Sequence, residues 1–181
     1  MPVQIGAKAQ DFSDPTGLLS DCPRRIEMFL GSLQRVAQVI DSPLTTDAPT
    51  ALETALRYFH EAAPKHTEDE EESLFPPLRQ IHHTELTRAL STLKTLEDDH
   101  RRADTLHAQV RALGMQCLEK GHLPVREAQR FLQVVSDLAS IYREHIRIED
   151  SIVFPAAQRA LSVSQKSAIA SEMASRRKSA S

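Results

Sequence analysis

Tryptophan is absent from this chain, glycine occurs only 5 times in 181 residues, and aromatic residues make up 4%. Sheets draw heavily on aromatic residues, so this composition points away from them and toward helices. The two cysteines, Cys22 and Cys117, form no motif and exclude a disulfide framework. Neither sign of charge dominates: 22 Lys and Arg against 25 Asp and Glu leave a net charge of −3. There is thus no basic field to hold nucleic acid or an anionic membrane. No apolar run approaches the roughly 20 residues that span a bilayer. Residues 1–12 lack the basic and apolar regions of a signal peptide, so a cytoplasmic location is expected. The Arg176-Arg177-Lys178 cluster is local and reads as part of a solvated tail.

What is present is a 40% apolar content, enough for one compact domain, and eight histidines. Apolar residues at three- and four-residue steps (Ile26, Phe29, Leu30, Leu33, Val36, Ala37, Ile40) predict a first helix over about 18–40. Residues 41–49 read as a loop. A second helix is expected from about residue 50 or 51 to Phe75-Pro76-Pro77, kinked or broken at Pro64. A third covers roughly 84–119 and stops at Gly121. The fourth opens near Leu123-Pro124 and runs to about Phe154-Pro155. Residues 156–173 form a shorter helical extension, followed by a frayed tail. The expected architecture is all-α: an antiparallel up-down four-helix bundle over 16–160, an N-terminal arm over 1–15, and a C-terminal helical extension and tail over 161–181.

The sharpest signal is an internal repeat. His66-x3-Glu70-x4-Phe75-Pro76 recurs 79 residues later as His145-x3-Glu149-x4-Phe154-Pro155. A second pair sets Asp21-Cys22-Pro23-Arg24-Arg25 against Asp98-Asp99-His100-Arg101-Arg102, 77 residues on. The chain reads as two helical hairpins related by duplication, each lending equivalent residues to one central site. Positions i and i+4 share a helix face, so His66 with Glu70, and His145 with Glu149, can each grip an ion, while His100 brings a further imidazole. Imidazole nitrogen mixed with carboxylate oxygen suits iron, manganese or zinc, and carboxylates can bridge two ions. One such pair alone would read as a solvated face, and Glu70 lies in the acidic run 68–72. Its recurrence with the Phe-Pro trailer favours metal binding.

These residues resemble the hemerythrin-like family, the HHE cation-binding domains, over about residues 16–160. The family pattern is His, His-x3-Glu, His, His-x3-Glu on four helices. The resemblance implies a non-haem di-iron centre with two bridging carboxylates, and binding or sensing of O2, NO or peroxide rather than a committed metabolic reaction. Its partner would be a small diatomic ligand or peroxide; nucleic acid and membrane are not expected.

The chain departs from the pattern at one place. The helix-one histidine falls at Pro23, which has no ligand atom. If the helix starts near Asp21 the proline is harmless; if near Thr16, it lies inside the helix. Four outcomes follow: water in the vacancy, a single remaining metal, a substitute side chain, or a lost site. Cys22 and His60 are the substitutes weighed; Cys22 is favoured as a small buried hydrophobe and His60 as a half-buried polar contact. His107 is expected to line the bundle rather than the metal. Tyr142 is either a core tyrosine with a satisfied hydroxyl or a donor above the site. His82, His83 and His122 fall near loops. A signalling or stress-response module with a degenerate, mononuclear or empty site is the rival function. A ferritin-like oxidase is a weaker one, since that class uses Glu-x-x-His with four glutamates.

Overall fold

The computed structural model describes residues 15–45, 47–81 and 83–178. The expected arm (apart from Pro15), His82 and the last three residues of the tail lie outside this set. Among the described residues there is no strand, and the protein is all-α. Helix α1 spans Pro15–Ala37, α2 Ala48–Glu61, α3 Ala63–Glu68 and α4 Phe75–Arg79. A π-helical turn, Asp69–Leu74, joins α3 to α4. After the short 3-10 turn Thr84–Leu86 come α5, Thr87–Lys120, and α6, Val125–Ile148. A second π-helical turn, Glu149–Val153, leads into α7, Phe154–Ala160, and α8 spans Val163–Lys178.

The extent of α1 resolves the alternatives at Pro23. The helix already includes Pro15, so Pro23 stands buried in its interior. Its far end is shorter than expected, because Gln38 and Val39 donate to carbonyls only three residues back. Pro64 breaks the second helix as expected: α3 restarts with that proline in its first turn. Helix α5 ends at Gly121, whose φ of 82° is the left-handed stop that glycine adopts freely. Leu123 then donates to the Ile40 carbonyl and Leu44 to the Gly121 carbonyl, at 2.7 and 2.9 Å, tying the two loops together.

Helix α1 packs on α2 and α6, and α5 packs on the same two. The interior is divided. One apolar cluster holds Ile26, Leu30, Phe59, Ala63, Ala103, Tyr142 and Ile146. A second holds Leu18, Leu19, Leu74, Phe75, Leu93, Leu96, Ile148 and Val153, with a small third cluster of Leu86, Ala89 and Ala156. Each long segment crosses from one cluster to the other, and at each crossing stand the residues singled out by the repeat: Pro23, His66 with Glu70, His100, and His145 with Glu149. Leu74, Phe75, Ile148 and Phe154, close in sequence to the two glutamates, all belong to the second cluster.

Two corrections concern the C-terminal region. The extension is not continuous: α7 prolongs the fourth helix, Leu161 is extended, and α8 begins anew. Ser162 and Gln165 explain the restart, because the Ser162 amide donates to Gln165 Oε1 at 2.9 Å and the Gln165 amide to Ser162 Oγ at 3.3 Å. This Ser-x-x-Gln capping box was readable and was missed. The second correction is that Arg176 and Arg177 are not solvated: both side chains are largely buried and grip Asp69. Helix α8 therefore runs past residue 173 and docks.

Candidate metal centre

Glu70, His100, His145 and Glu149 converge, with one potential ligand atom from each lying within 4.8 Å of all the others. His100 Nε2 sits 3.2 Å from Glu70 Oε2 and 3.1 Å from His145 Nε2. His145 Nε2 lies 2.7 Å from Glu149 Oε1, too poorly aligned for a hydrogen bond. The fifth expected residue, His66, stands at the edge of this group, its Nε2 3.6 Å from Glu70 Oε1. All five are buried, and both glutamates are fully enclosed.

Buried polar atoms are ordinarily hydrogen-bonded, because leaving one unsatisfied costs about 1–3 kcal/mol. Here both nitrogens of His66, both oxygens of Glu70, both oxygens of Glu149 and Nδ1 of His145 have no hydrogen-bond partner. The oxygens of both carboxylates and nitrogens of His66 and His145 are thus left unpartnered, while His100 and His145 meet only through their Nε2 atoms. A cation is the group that would satisfy them together, and the mixed oxygen and nitrogen set suits iron.

The electrostatics agree. Burial, then the adjacent Glu149 charge, holds the Glu70 carboxyl well above the usual carboxylate range. Burial also opposes ionisation of Glu149, but the neighbouring His145 outweighs it and leaves that carboxyl below its ordinary value. Conversely, burial disfavours a charged His145, yet Glu149 and Asp99 raise it. Burial lowers His66 to about 4, with the nearby charges of His100 and His145 adding to the effect. His100 is lowered by burial and then by His145. A histidine held neutral is one ready to ligate.

Both π-helical turns begin at or beside the site glutamates. The Phe75 amide donates to the Glu70 carbonyl and the Phe154 amide to the Glu149 carbonyl, five residues back in each case. The proline that follows has no N–H to continue the ladder. The Phe-Pro trailer of the repeat therefore accompanies a wide turn at each glutamate, a device frequent at functional sites.

Two supporting residues were not foreseen. Glu71 accepts from His100 Nδ1 at 2.7 Å, fixing that ring so that Nε2 faces the cluster. Asp99 lies 3.7 Å from His145 Nδ1 and accepts from Arg102 at 3.1 Å. Each adjoins a site residue, but acids beside histidines are too common to single out by sequence. The substitutes for the Pro23 vacancy do not join the cluster. Cys22 is half-buried and its thiol faces the Leu18 carbonyl at 3.5 Å; burial raises its pKa. His60 is exposed, on the rim of a cavity of about 320 Å³ that His107 also lines. His107 bonds the Tyr142 hydroxyl through Nε2 at 2.8 Å and stacks on Phe59, with ring centroids 4.6 Å apart. Burial lowers its pKa to about 4. Tyr142 is thus a core tyrosine with a satisfied hydroxyl. His83 and His122 are exposed and outside the cluster.

A sequence profile described as the hemerythrin HHE cation-binding domain matches residues 14–161. The chain belongs to the hemerythrin HHE family. Comparison with curated proteins gives no significant match. The family match spans both halves of the repeat and ends just before α8, so every residue of the converging cluster lies inside the hemerythrin domain while α8 lies beyond it. Among the described residues, no helix is long and apolar enough to cross a membrane.

Proposed function

We propose that this hemerythrin-family protein is a non-haem iron protein of di-iron type that binds or senses O2, NO or peroxide, rather than a metabolic enzyme. The observation that carries the reading is the buried group Glu70, His100, His145 and Glu149, with His66 beside it, in which the oxygens of both glutamates and both nitrogens of His66 lack partners. We read the scaffold as an antiparallel up-down four-helix bundle, formed by α1, α2–α4, α5 and α6–α7. The alternating order in which these segments cross between the two apolar clusters supports this.

In this reading Glu70 and Glu149 offer carboxylate oxygens that offset the ionic charge, and His66, His100 and His145 offer neutral nitrogens. Bound ferrous iron would supply electrons and an open coordination position for a diatomic ligand or peroxide. Glu71 orients His100. The Tyr142–His107 bond keeps the tyrosine proton engaged away from the cluster. The apolar clusters on either side exclude bulk water.

A second reading, a signalling or stress-response module with a reduced site, is favoured by one observation: Pro23 inside α1 supplies no ligand. Elemental mass spectrometry on protein expressed with added iron separates the two. About two irons per chain is the expected result for the di-iron reading, whereas about one indicates a mononuclear site. Near zero, with no visible absorbance, would remove the gas-binding reading in favour of the second.

A further inference from the structure

We infer that Arg176 and Arg177 of α8 are positioning residues for the metal centre, clasping Asp69 so that the wide turn presents Glu70 to the cluster. The inference rests on the iron-binding reading above. Asp69 has 0% exposure, as does its neighbour Glu70, and both belong to the same π-helical turn. Arg177 meets Asp69 through both terminal nitrogens, Nη2 to Oδ2 at 2.5 Å and Nη1 to Oδ1 at 3.3 Å. Arg176 adds Nη1 to Asp69 Oδ1 at 2.7 Å and Nη2 to Ser73 Oγ at 2.8 Å. Glu68 and Glu72 flank the Arg176 guanidinium at 3.8 and 3.3 Å. Asp69 thus takes a charge-assisted fork from Arg177 and a single charge-assisted bond from Arg176, and such forks are strongly directional.

The duplication supplies an internal control. Moving 79 residues along the chain, Asp69 corresponds to Ile148 and Ser73 to Ile152. Both isoleucines pack into the apolar cluster. The wide turn therefore needs no acid or hydroxyl of its own at these two positions. In the second hairpin the turn is held by apolar contact; in the first it carries a polar face, and α8 is what that face receives. A π-helical turn has given up the regular ladder of bonds four residues back, so its orientation depends on what packs against it.

Helix α8 is built for this seat. It packs on the wide turn and on α1, burying Ile169, Ala170 and Met173. It lies beyond the residues matched by the family profile. Helix α1, on which α8 packs, is also the helix that carries Pro23, where the ligand is missing. Coupling is reciprocal: if the clasp tightens metal binding, then metal tightens the docking of α8.

The test uses the full-length protein, ferrous iron in competition with a chelator, and the visible bands of the cobalt(II)-loaded form. Arg176→Ala with Arg177→Ala is expected to weaken iron binding about 10–100-fold, the range for residues that orient ligands. It should also shift the cobalt bands and speed amide exchange in α8. The lysine pair Arg176→Lys with Arg177→Lys keeps the charge without the fork and is expected to recover part of the affinity. If the double alanine variant fails to fold, Arg177→Ala alone is expected to give an intermediate loss with the same band shift. Wild-type affinity and bands in the variants would overturn the clasp while leaving the iron reading intact. Equal losses in the alanine and lysine pairs with unmoved bands would also overturn it, marking a general loss of stability. A wild-type protein that takes up neither metal would remove both inferences.

Discussion

Glu70→Gln is expected to make the metal-free protein more stable and its iron complex weaker. Glu70 is fully buried, and burial together with the Glu149 charge disfavours its ionised form. Glutamine keeps the shape and removes the charge. An uncompensated buried charge costs about 3–5 kcal/mol, and the nearby imidazoles relieve part of that here. A gain of about 2 kcal/mol is therefore expected at pH 8. The sign of its pH dependence follows from the raised carboxyl. A group with a raised pKa lends its stability at low pH and loses it as pH climbs above the unfolded value of 4.5. The advantage of Glu70→Gln over wild type should thus be small near pH 4.5 and grow with rising pH. Chemical denaturation of chelator-treated protein at pH 5 and pH 8 measures it, and equal or lower stability of the variant at pH 8 would contradict the reading. Under iron the order reverses, because a carboxylate donor is gone; a loss of affinity on the order of 100-fold is expected.

Placing a histidine at position 23 is expected to tighten iron binding at the centre. Pro23 has no amide hydrogen, so the Leu19 carbonyl loses its partner four residues on, in the interior of a 23-residue helix. An interior proline costs a helix about 3 kcal/mol. Pro23→His returns the amide and places an imidazole at the repeat equivalent of His100. Pro23→Ala returns the amide alone, and so separates helix repair from ligation. Both variants are expected to melt higher without metal, the alanine by about 1–2 kcal/mol after allowing for the small cavity it leaves. Only the histidine variant should hold iron more tightly, read by competition with a chelator. If Pro23→His holds iron no more tightly than Pro23→Ala, the missing helix-one ligand is not what limits the centre.

Much of the site was legible because its residues recur. His66, Glu70, His145 and Glu149 stand at helical spacing in two diverged copies, and His100 sits where the second match places it. The structure brings four of the five into one ligand-sized group and leaves His66 at its edge. The helices were legible from apolar steps, and Gly121 and Pro64 act as their residue types require. The wide turns were not legible, since a π-helical turn has no side-chain period of its own; Phe75-Pro76 and Phe154-Pro155 marked the place without disclosing the shape. Glu71 could not be told from its acidic neighbours until the fold set His100 against it. The arginines of α8 misled for the opposite reason: a charged stretch near the end of a chain resembles a solvated tail until its partner, 107 residues away in sequence, is known.

The polar layer has a consequence for folding. Because every long segment changes apolar cluster at the site, the two large hydrophobic cores are separated by a layer of carboxylates and imidazoles with several unpartnered atoms. Without metal, the layer contributes little of the cohesion that makes a small protein unfold in one step. The ends of the molecule then behave as separate cooperative units, joined by helical backbone rather than by packing. An ion in the layer welds them. Amide exchange should accordingly show two protection levels in the metal-free protein, divided at His66, His100 and His145, and a single level once iron is bound.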